Sequence, residues 1–332
     1  MLFLQDSGRL LISCFDYLKN LLSDSHHAET VTLRGRRDFL TTGSLFVAAL
    51  PFVSLLYGIT IGKYKFVVNK LQLGFKVLPQ NFSGFKVLQI SDIHAGSFDS
   101  IESVTKGIEL INQQDADIVL FTGDLVNMDK NEILPYIQTF KRIKAKFGKF
   151  AVLGNHDYLG MDRSDDPQQY LEDLISIFDE MGFRLLLNES TPIELNGEKI
   201  YIAGVENWGR DRWFPKKGDL DKALLNVPND AFTILMSHDP THWDEVVKKH
   251  SRTVQLTLSG HTHGMQFGID LSGLRWSPAK YRYPQWKGLY EENDRKLYVN
   301  IGFGFIGFAG RVGMWPEISV FELQRVSSSI PS

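Results

Sequence analysis

Asp92-Ile93-His94, Gly123-Asp124, Gly154-Asn155-His156-Asp157, Ser237-His238-Asp239 and Gly260-His261-Thr262-His263-Gly264 are five short stretches rich in metal-ligating side chains. Each follows an apolar run: FKVLQI, ADIVLFT, FAVL, FTILM and VQLTLS in turn. A single Gly-Asp or lone histidine at such a place is an ordinary turn. Five in one chain call for a common cause, and shared cation coordination is the economical one. Alternate residues at a strand end point the same way, so Asp92 and His94 are expected to face one ion. His261 and His263 have the same spacing and can be divided between two neighbouring ions. The carboxylate of Asp124 has two oxygens and can bridge both. Carboxylate, imidazole and amide ligands suit manganese, iron or zinc, and the single cysteine, Cys14, excludes both a clustered thiolate site and an intrachain disulfide.

The elements that must position these residues are legible from Lys63 onward. KYKFVVNKLQL reads as a first strand and Phe85–Ile90 as a second, running straight into Asp92. Helices are expected over 103–114, 133–147 and 168–181. Strands are expected at ADIVLFTGD, KFAVLGNHD, FRLLLN, KIYIAGV, FTILMSH, TVQLTLSGH, KLYVNIG and EISVFELQRV. Strand–helix alternation of this kind describes a layered α/β unit covered on both faces. Such sheets place ligands where strands end, beyond the packed core.

The five stretches, in this order, resemble the motif set of the calcineurin-like metallophosphoesterase superfamily, and most closely its membrane-associated bacterial phosphodiesterase branch of YaeI/YkuE type. The resemblance runs from Phe85 to Phe321. It implies a four-layer α/β/β/α sandwich with two mixed sheets, to which this chain adds an N-terminal hydrophobic helix. It also implies a hydrolase of phosphoric esters or anhydrides using two divalent metal ions. One ion would be held by Asp92, His94, Asp124 and His263, the other by Asp124, Asn155, His238 and His261. His156 matches the histidine that contacts substrate or protonates the leaving group, and Asp157 the acidic residue that orients it.

Ahead of this region, Phe39–Gly62 contains no charged residue and is long enough to span a bilayer; a buried core helix is the alternative. LRGRRDFL, with Arg34, Arg36 and Arg37, resembles a twin-arginine export signal, which would put the catalytic part outside the cytoplasm of a bacterial cell. The partition expected is an amphipathic and polar segment at 1–33, the arginine-containing segment and membrane helix at 34–62, and a catalytic domain at 63–332. His26 and His27 lie in a polar connector and read as solvent-exposed. A net charge of −3 and the lack of a basic stripe interleaved with aromatics argue against a nucleic-acid partner, and no obligate protein partner is evident.

Substrate preference is less constrained. Trp276, Tyr281, Tyr283, Trp286 and Tyr290 crowd one segment ahead of GFGFIGFAG at Gly302–Gly310, and serve either an acyl chain and membrane interface or core packing. Arg210, Arg212, Lys216 and Lys217 either attract a second phosphate or headgroup or form a solvated loop. With membrane anchoring, these features favour an amphiphilic phosphodiester or pyrophosphate, such as a phospholipid or a UDP-2,3-diacylglucosamine-like lipid of lipid A biosynthesis. A phosphomonoesterase or phosphoprotein phosphatase is the alternative, and a tethered protein without catalysis is a further one.

Overall fold

The computed structural model describes residues 36–271 and 273–326. The expected amphipathic segment at 1–33, with Cys14, His26 and His27, and Arg34 of the arginine motif lie outside them. Helix α1, Arg36–Thr60, contains Pro51 and takes up nearly all of the uncharged run. Its stretch Gly43–Thr60 has a mean hydropathy of 1.7 and is almost wholly exposed, so the core-helix alternative is not what the structure shows. By length and composition this helix is able to cross a membrane.

Chain contacts divide the molecule at Pro51/Phe52. The second unit carries β1 (Val67–Phe75), β2 (Lys86–Ile90), α2 (Ile101–Asn112), β3 (Ile118–Phe121), α3 (Ile137–Lys141) and β4 (Lys149–Ala151). Next come α4 (Asp157–Met161), α5 (Pro167–Glu180), β5 (Arg184–Leu185), β6 (Glu189–Leu195), β7 (Glu198–Gly204) and α6 (Leu220–Leu224). β8 (Thr233–Met236), α7 (Thr241–Glu245) and β9 (Leu256–Ser259) lead to the last strands. These are β10 (Ile269–Leu271), β11 (Leu274–Trp276), β12 (Gly288–Glu292), β13 (Arg295–Val299) and β14 (Glu317–Arg325).

Two six-stranded mixed sheets result, ordered β1-β14-β2-β3-β4-β5 and β12-β13-β9-β8-β7-β6. β2 to β5 are parallel in the first, and β7, β8, β9 and β13 in the second. The period-two alternation of strand side chains builds the layers. From β3, Val119 and Phe121 face α2 and α5, meeting Ile108, Leu174 and Phe178. Its neighbours Ile118 and Leu120 turn inward and meet Ile202, Ile234 and Leu258 of the other sheet. On β8, Leu235 turns outward onto Leu220, Leu224 and Trp243. Helix, sheet, sheet and helix therefore stack around three apolar seams. Because the central strands are buried on both faces, they read as unbroken apolar runs.

Two expectations changed. The helix over 133–147 is a 3-10 turn at Lys130–Tyr136 continuing into the short α3. Pro135 lacks the N–H an α-helix needs there. The Asn112 side chain then bonds Arg142 O and Lys144 N, each at 2.9 Å, and draws the chain off its helical path. Strand β6 went unread because ESTPIEL carries charge and Pro192, features that edge strands tolerate and interior strands do not.

Candidate metal centre

All five stretches emerge at the carboxyl ends of parallel strands: β2, β3 and β4 in one sheet, β8 and β9 in the other. The mechanism of convergence differs from the expected strand alternation. The ladder of β2 stops at Ile90, and the backbone N–H groups of Asp92, Ile93 and His94 donate to Gly123 O and Asp124 O at 2.8–3.1 Å. Asp92, His94, Asp124, His261 and His263 all take left-handed backbone conformations, with φ between 49° and 70°. For a non-glycine residue that costs roughly 1–2 kcal/mol. Several such residues in one place are backbone strain held by its surroundings. Close approach also dictates glycines. A Cβ on Gly154 would lie 2.2 Å from Asp124 Oδ1, and one on Gly260 1.9 Å from Ser91 Oγ.

The side chains form two groups, Asp92–His94–His263 and Asp124–His238–His261, the donor atoms of each lying within 4.8 Å of one another. In the first, His94 Nε2 lies 3.0 Å from His263 Nε2, which lies 3.2 Å from Asp92 Oδ1. In the second, His238 Nε2 is 3.1 Å from Asp124 Oδ2, 3.1 Å from Asn155 Oδ1 and 3.2 Å from His261 Nδ1. Asp124 Oδ2 also stands 3.5 Å from His94 Nε2, so this oxygen sits between the groups.

The donor chemistry fits cations. His238 Nδ1 lies 2.8 Å from Thr122 O, which can only accept, so this nitrogen carries the ring proton of the neutral imidazole. Its Nε2 lone pair then faces a carboxylate oxygen, an amide oxygen and another imidazole nitrogen. That crowding of lone pairs is repulsive unless a proton or metal ion lies among them. His94 Nδ1 and Asn155 Nδ2 are buried with no partner among the described residues.

The electrostatics agree. Burial is the largest influence on His238 and lowers its pKa, but Asp124 and Asp92 outweigh it and hold it up at about 10. For His94 burial prevails over Asp124 and brings the ring down to about 3. Burial would raise the Asp92 and Asp124 carboxyls, yet the adjacent histidines keep both below the ordinary range. Without bound metal, His238 is expected to carry a proton at neutral pH that an incoming cation must displace. We expect metal uptake by the chelated protein to release protons, and apparent affinity to weaken as pH falls below about 10. Calorimetry in buffers of different ionisation enthalpy checks this; uptake without proton release would contradict it.

His156 sits at the rim, its ring centroid 5.0 Å from that of His94. The expected contact with Asp157 is not observed. His156 Nδ1 instead lies 2.7 Å from Asn127 O, which places the Nδ1 proton and leaves Nε2 as the other working nitrogen. Asp157 is wholly buried and accepts from the backbone N–H groups of Asp124, Leu125 and Gly154 at 2.8–3.0 Å. It ties the Asp124 loop to the Gly154 turn. Burial and the nearby Asp124 charge push its carboxyl up to about 7, against those donors, which favour the anion.

Arg311 escaped the sequence reading, and Tyr283 was read only as one of the crowded aromatics, without its contact to the histidines. Tyr283 brings its hydroxyl to 2.9 Å from His261 Nε2. Arg311 is fully buried, donates to Ile301 O, Gly304 O and Met314 O, and sets Nη2 3.0 Å from His263 Nδ1. An arginine inside an apolar, glycine-rich run was the available signal, because buried guanidinium groups are almost always paired.

The Gly302–Gly310 loop packs directly beneath the centre. Phe303 N donates to Ser91 O and Gly304 N to Asp92 O, at 2.7 and 2.8 Å, while Phe303 and Phe305 are core residues. Trp286 is buried and Tyr281 exposed, so the aromatic segment serves two ends. Beside the centre, a cleft of about 420 Å³ is lined by residues including Arg210, Arg212, Trp213, Asp239, Arg282 and Tyr283. Arg210 pairs with Glu245 at 2.8 Å and Arg282 with Asp211, whereas Arg212 has no ion pair among the described residues. Lys216 and Lys217 lie over the rings of Trp208 and Tyr158. Phe214 reaches over the centre, its ring 6.2 Å from that of His156 and 6.5 Å from that of His261.

Comparison with known proteins gives the same account. Residues 85–265 match the profile of the calcineurin-like phosphoesterases. The Bacillus subtilis metallophosphoesterase YkuE is 30% identical over 257 residues, 76% of this chain and 83% of that one. YkoQ of the same organism is 26% identical over 84% of this chain and 98% of its own length. A Danio rerio transmembrane protein with a metallophosphoesterase domain is 24% identical over 95% of this chain and 69% of that one. With carboxylates, imidazoles and an amide brought together at the strand ends of two facing sheets, the chain belongs to the calcineurin-like phosphoesterase family, whose members are metal-dependent phosphoesterase hydrolases.

Proposed function

We propose that this protein is a membrane-held phosphodiesterase or pyrophosphatase with two divalent metal ions, manganese, iron or zinc, acting on an amphiphilic substrate. The observation that carries the reading is Asp124 Oδ2, placed between the two donor groups at 3.5 and 3.1 Å from their histidines. Asp92, His94, Asp124 and His263 would hold one ion, and Asp124, Asn155, His238 and His261 the second. When bound, such a pair makes water a competent nucleophile at neutral pH and neutralises charge on the phosphate oxygens. The chain's own residues do the rest. His156, its Nδ1 proton fixed on Asn127 O, offers a second proton from Nε2 to the departing oxygen when the ring is doubly protonated, and is left neutral. Tyr283 holds the orientation of His261, and Asp157 holds the Asp124 loop. Phe214, near both His156 and His261, would limit access of bulk water to a bound phosphate.

The arginine-lined cleft supports a substrate with a second anionic or polar group beyond the reacting phosphorus, as in a phospholipid or a UDP-2,3-diacylglucosamine-like pyrophosphate. In the proposed partition, residues 34–62 anchor the catalytic domain of 63–332 in a bacterial membrane, with that domain on the extracytoplasmic side. The exposed apolar helix α1 and the transmembrane relative support the anchoring.

Full-length protein in detergent with added manganese is expected to hydrolyse bis-p-nitrophenyl phosphate faster than p-nitrophenyl phosphate. Faster monoester turnover would favour a phosphomonoesterase, and inertness of the metal-loaded protein would sink the reading. Arg212→Ala is expected to raise KM for a diester with a charged second group by roughly 10–100-fold, the value of one charge-assisted hydrogen bond, with kcat kept. An unchanged KM would exclude Arg212 from substrate binding.

A further inference from the structure

Between the turn at His263–Gln266 and the cleft wall at Tyr283, β10 and β11 form an antiparallel hairpin outside both large sheets. The register pairs Ile269 with Trp276, Asp270 with Arg275 and Leu271 with Leu274. Strand side chains alternate, so Ile269, Leu271, Leu274 and Trp276 share one face, and Asp270 and Arg275 the other. The polar face is satisfied, with Asp270 meeting Arg275 Nε at 3.2 Å and Lys287 Nζ at 2.6 Å. The apolar face is bare: Leu271 is 67% and Leu274 55% exposed, and Ile269 is exposed beside them. A lone two-stranded hairpin is marginal in water and gains stability when such a face is covered.

The hairpin's root indicates what covers it. Phe267 bridges Val312, Gly268 N donates to Val312 O, and Val312 N donates to Gln266 O. One residue earlier, Arg311 N donates to Gly58 O in the last turns of α1. A Cβ on Gly58 would lie 2.7 Å from the Val312 side chain and 2.8 Å from Arg311 O, so helix and segment are in direct backbone contact. The hairpin and the apolar helix thus spring from two sides of the same short segment. Exposed apolar residues border both roots: Phe267 and Phe308 by the hairpin, Leu56, Ile59 and Ile61 on and just after the helix.

We propose that the apolar face of the β10–β11 hairpin rests in the interfacial layer of the membrane that α1 enters. This second lipid contact sets the attitude of the metal centre, whose His263 lies just ahead of the hairpin root. The proposal rests on the reading of α1 as a membrane helix, through the shared Arg311–Val312 segment. Two faces with different chemistry suit an interface: the Leu271–Leu274 side meets acyl chains, and the exposed Asp270–Arg275 side, its charges paired, meets water and headgroups.

The test uses the full chain in a Cys14→Ser background, with one environment-sensitive fluorophore on Leu271→Cys, Arg275→Cys or Val53→Cys. Each protein is placed in nanodiscs of phosphatidylcholine and phosphatidylglycerol with acyl-brominated lipid as quencher, after confirming hydrolysis of bis-p-nitrophenyl phosphate. The expected result is quenching at positions 53 and 271, at least about two-fold stronger at 271 than at 275, as for a face immersed at the headgroup–acyl boundary. Quenching at 53 without quenching at 271 overturns the hairpin proposal and leaves the membrane helix standing. No quenching at 53 overturns the helix reading itself. Energy transfer between labelled copies at 271 without lipid quenching assigns the face to a second copy of the chain, and also overturns the proposal.

Discussion

Asp124→Ala is expected to abolish dual metal occupancy and to slow hydrolysis by about 10³–10⁴-fold or more, since the several kcal/mol of charge stabilisation supplied by paired cations is lost. Asp124 is 1% exposed, and its Oδ2 lies between His94 and His238. Its Oδ1 accepts the His156 backbone N–H at 2.8 Å, and its carbonyl oxygen accepts from Ile93 and His94. Alanine keeps those carbonyl bonds and removes the shared anion. Two cations would then face each other without their common counter-charge, which disfavours dual occupancy. Asp124→Asn separates charge from shape, because it retains an oxygen ligand without the charge; weaker but measurable metal retention is expected. Elemental analysis beside kcat, with circular dichroism to verify folding, provides the check. An alanine variant that keeps both metals would refute the bridging role.

His156→Ala is expected to leave metal content unchanged and slow turnover by about 10²–10⁴-fold, the usual share of a positioned general acid. Its ring is absent from both convergent groups and is fixed through Nδ1 by Asn127 O. The loss should depend on the leaving group. A nitrophenolate departs readily without a proton, whereas an alkoxide does not. The deficit should therefore be larger for alkyl diesters than for bis-p-nitrophenyl phosphate. Equal deficits on both, or loss of metal, would show that His156 acts through the architecture of the site and not through proton transfer.

The residues of the candidate centre were legible in the sequence because side chains able to ligate metals are few in type, and because strands buried on both faces appear as unbroken apolar runs ending in polar loops. Asp92, His94, Asp124, Asn155, His238, His261 and His263 stood out for that reason. The layered α/β class followed from the same runs, and the apolar stretch now seen as α1 from its lack of charge. The edge strand β6 and the hairpin β10–β11 did not show, since half-exposed strands mix polar and apolar residues and only pairing partners define them. How the ligands converge was also invisible. Left-handed backbone at Asp92, His94 and Asp124 depends on hydrogen bonds between loops distant in sequence, and no local propensity encodes it. Tertiary structure alone gave Asn127 the orientation of His156, turned Asp157 toward backbone N–H groups and buried Arg311 beside His263. Ligand type is a property of single residues. Partner choice is a property of packed neighbours, and it appears only when the two sheets meet.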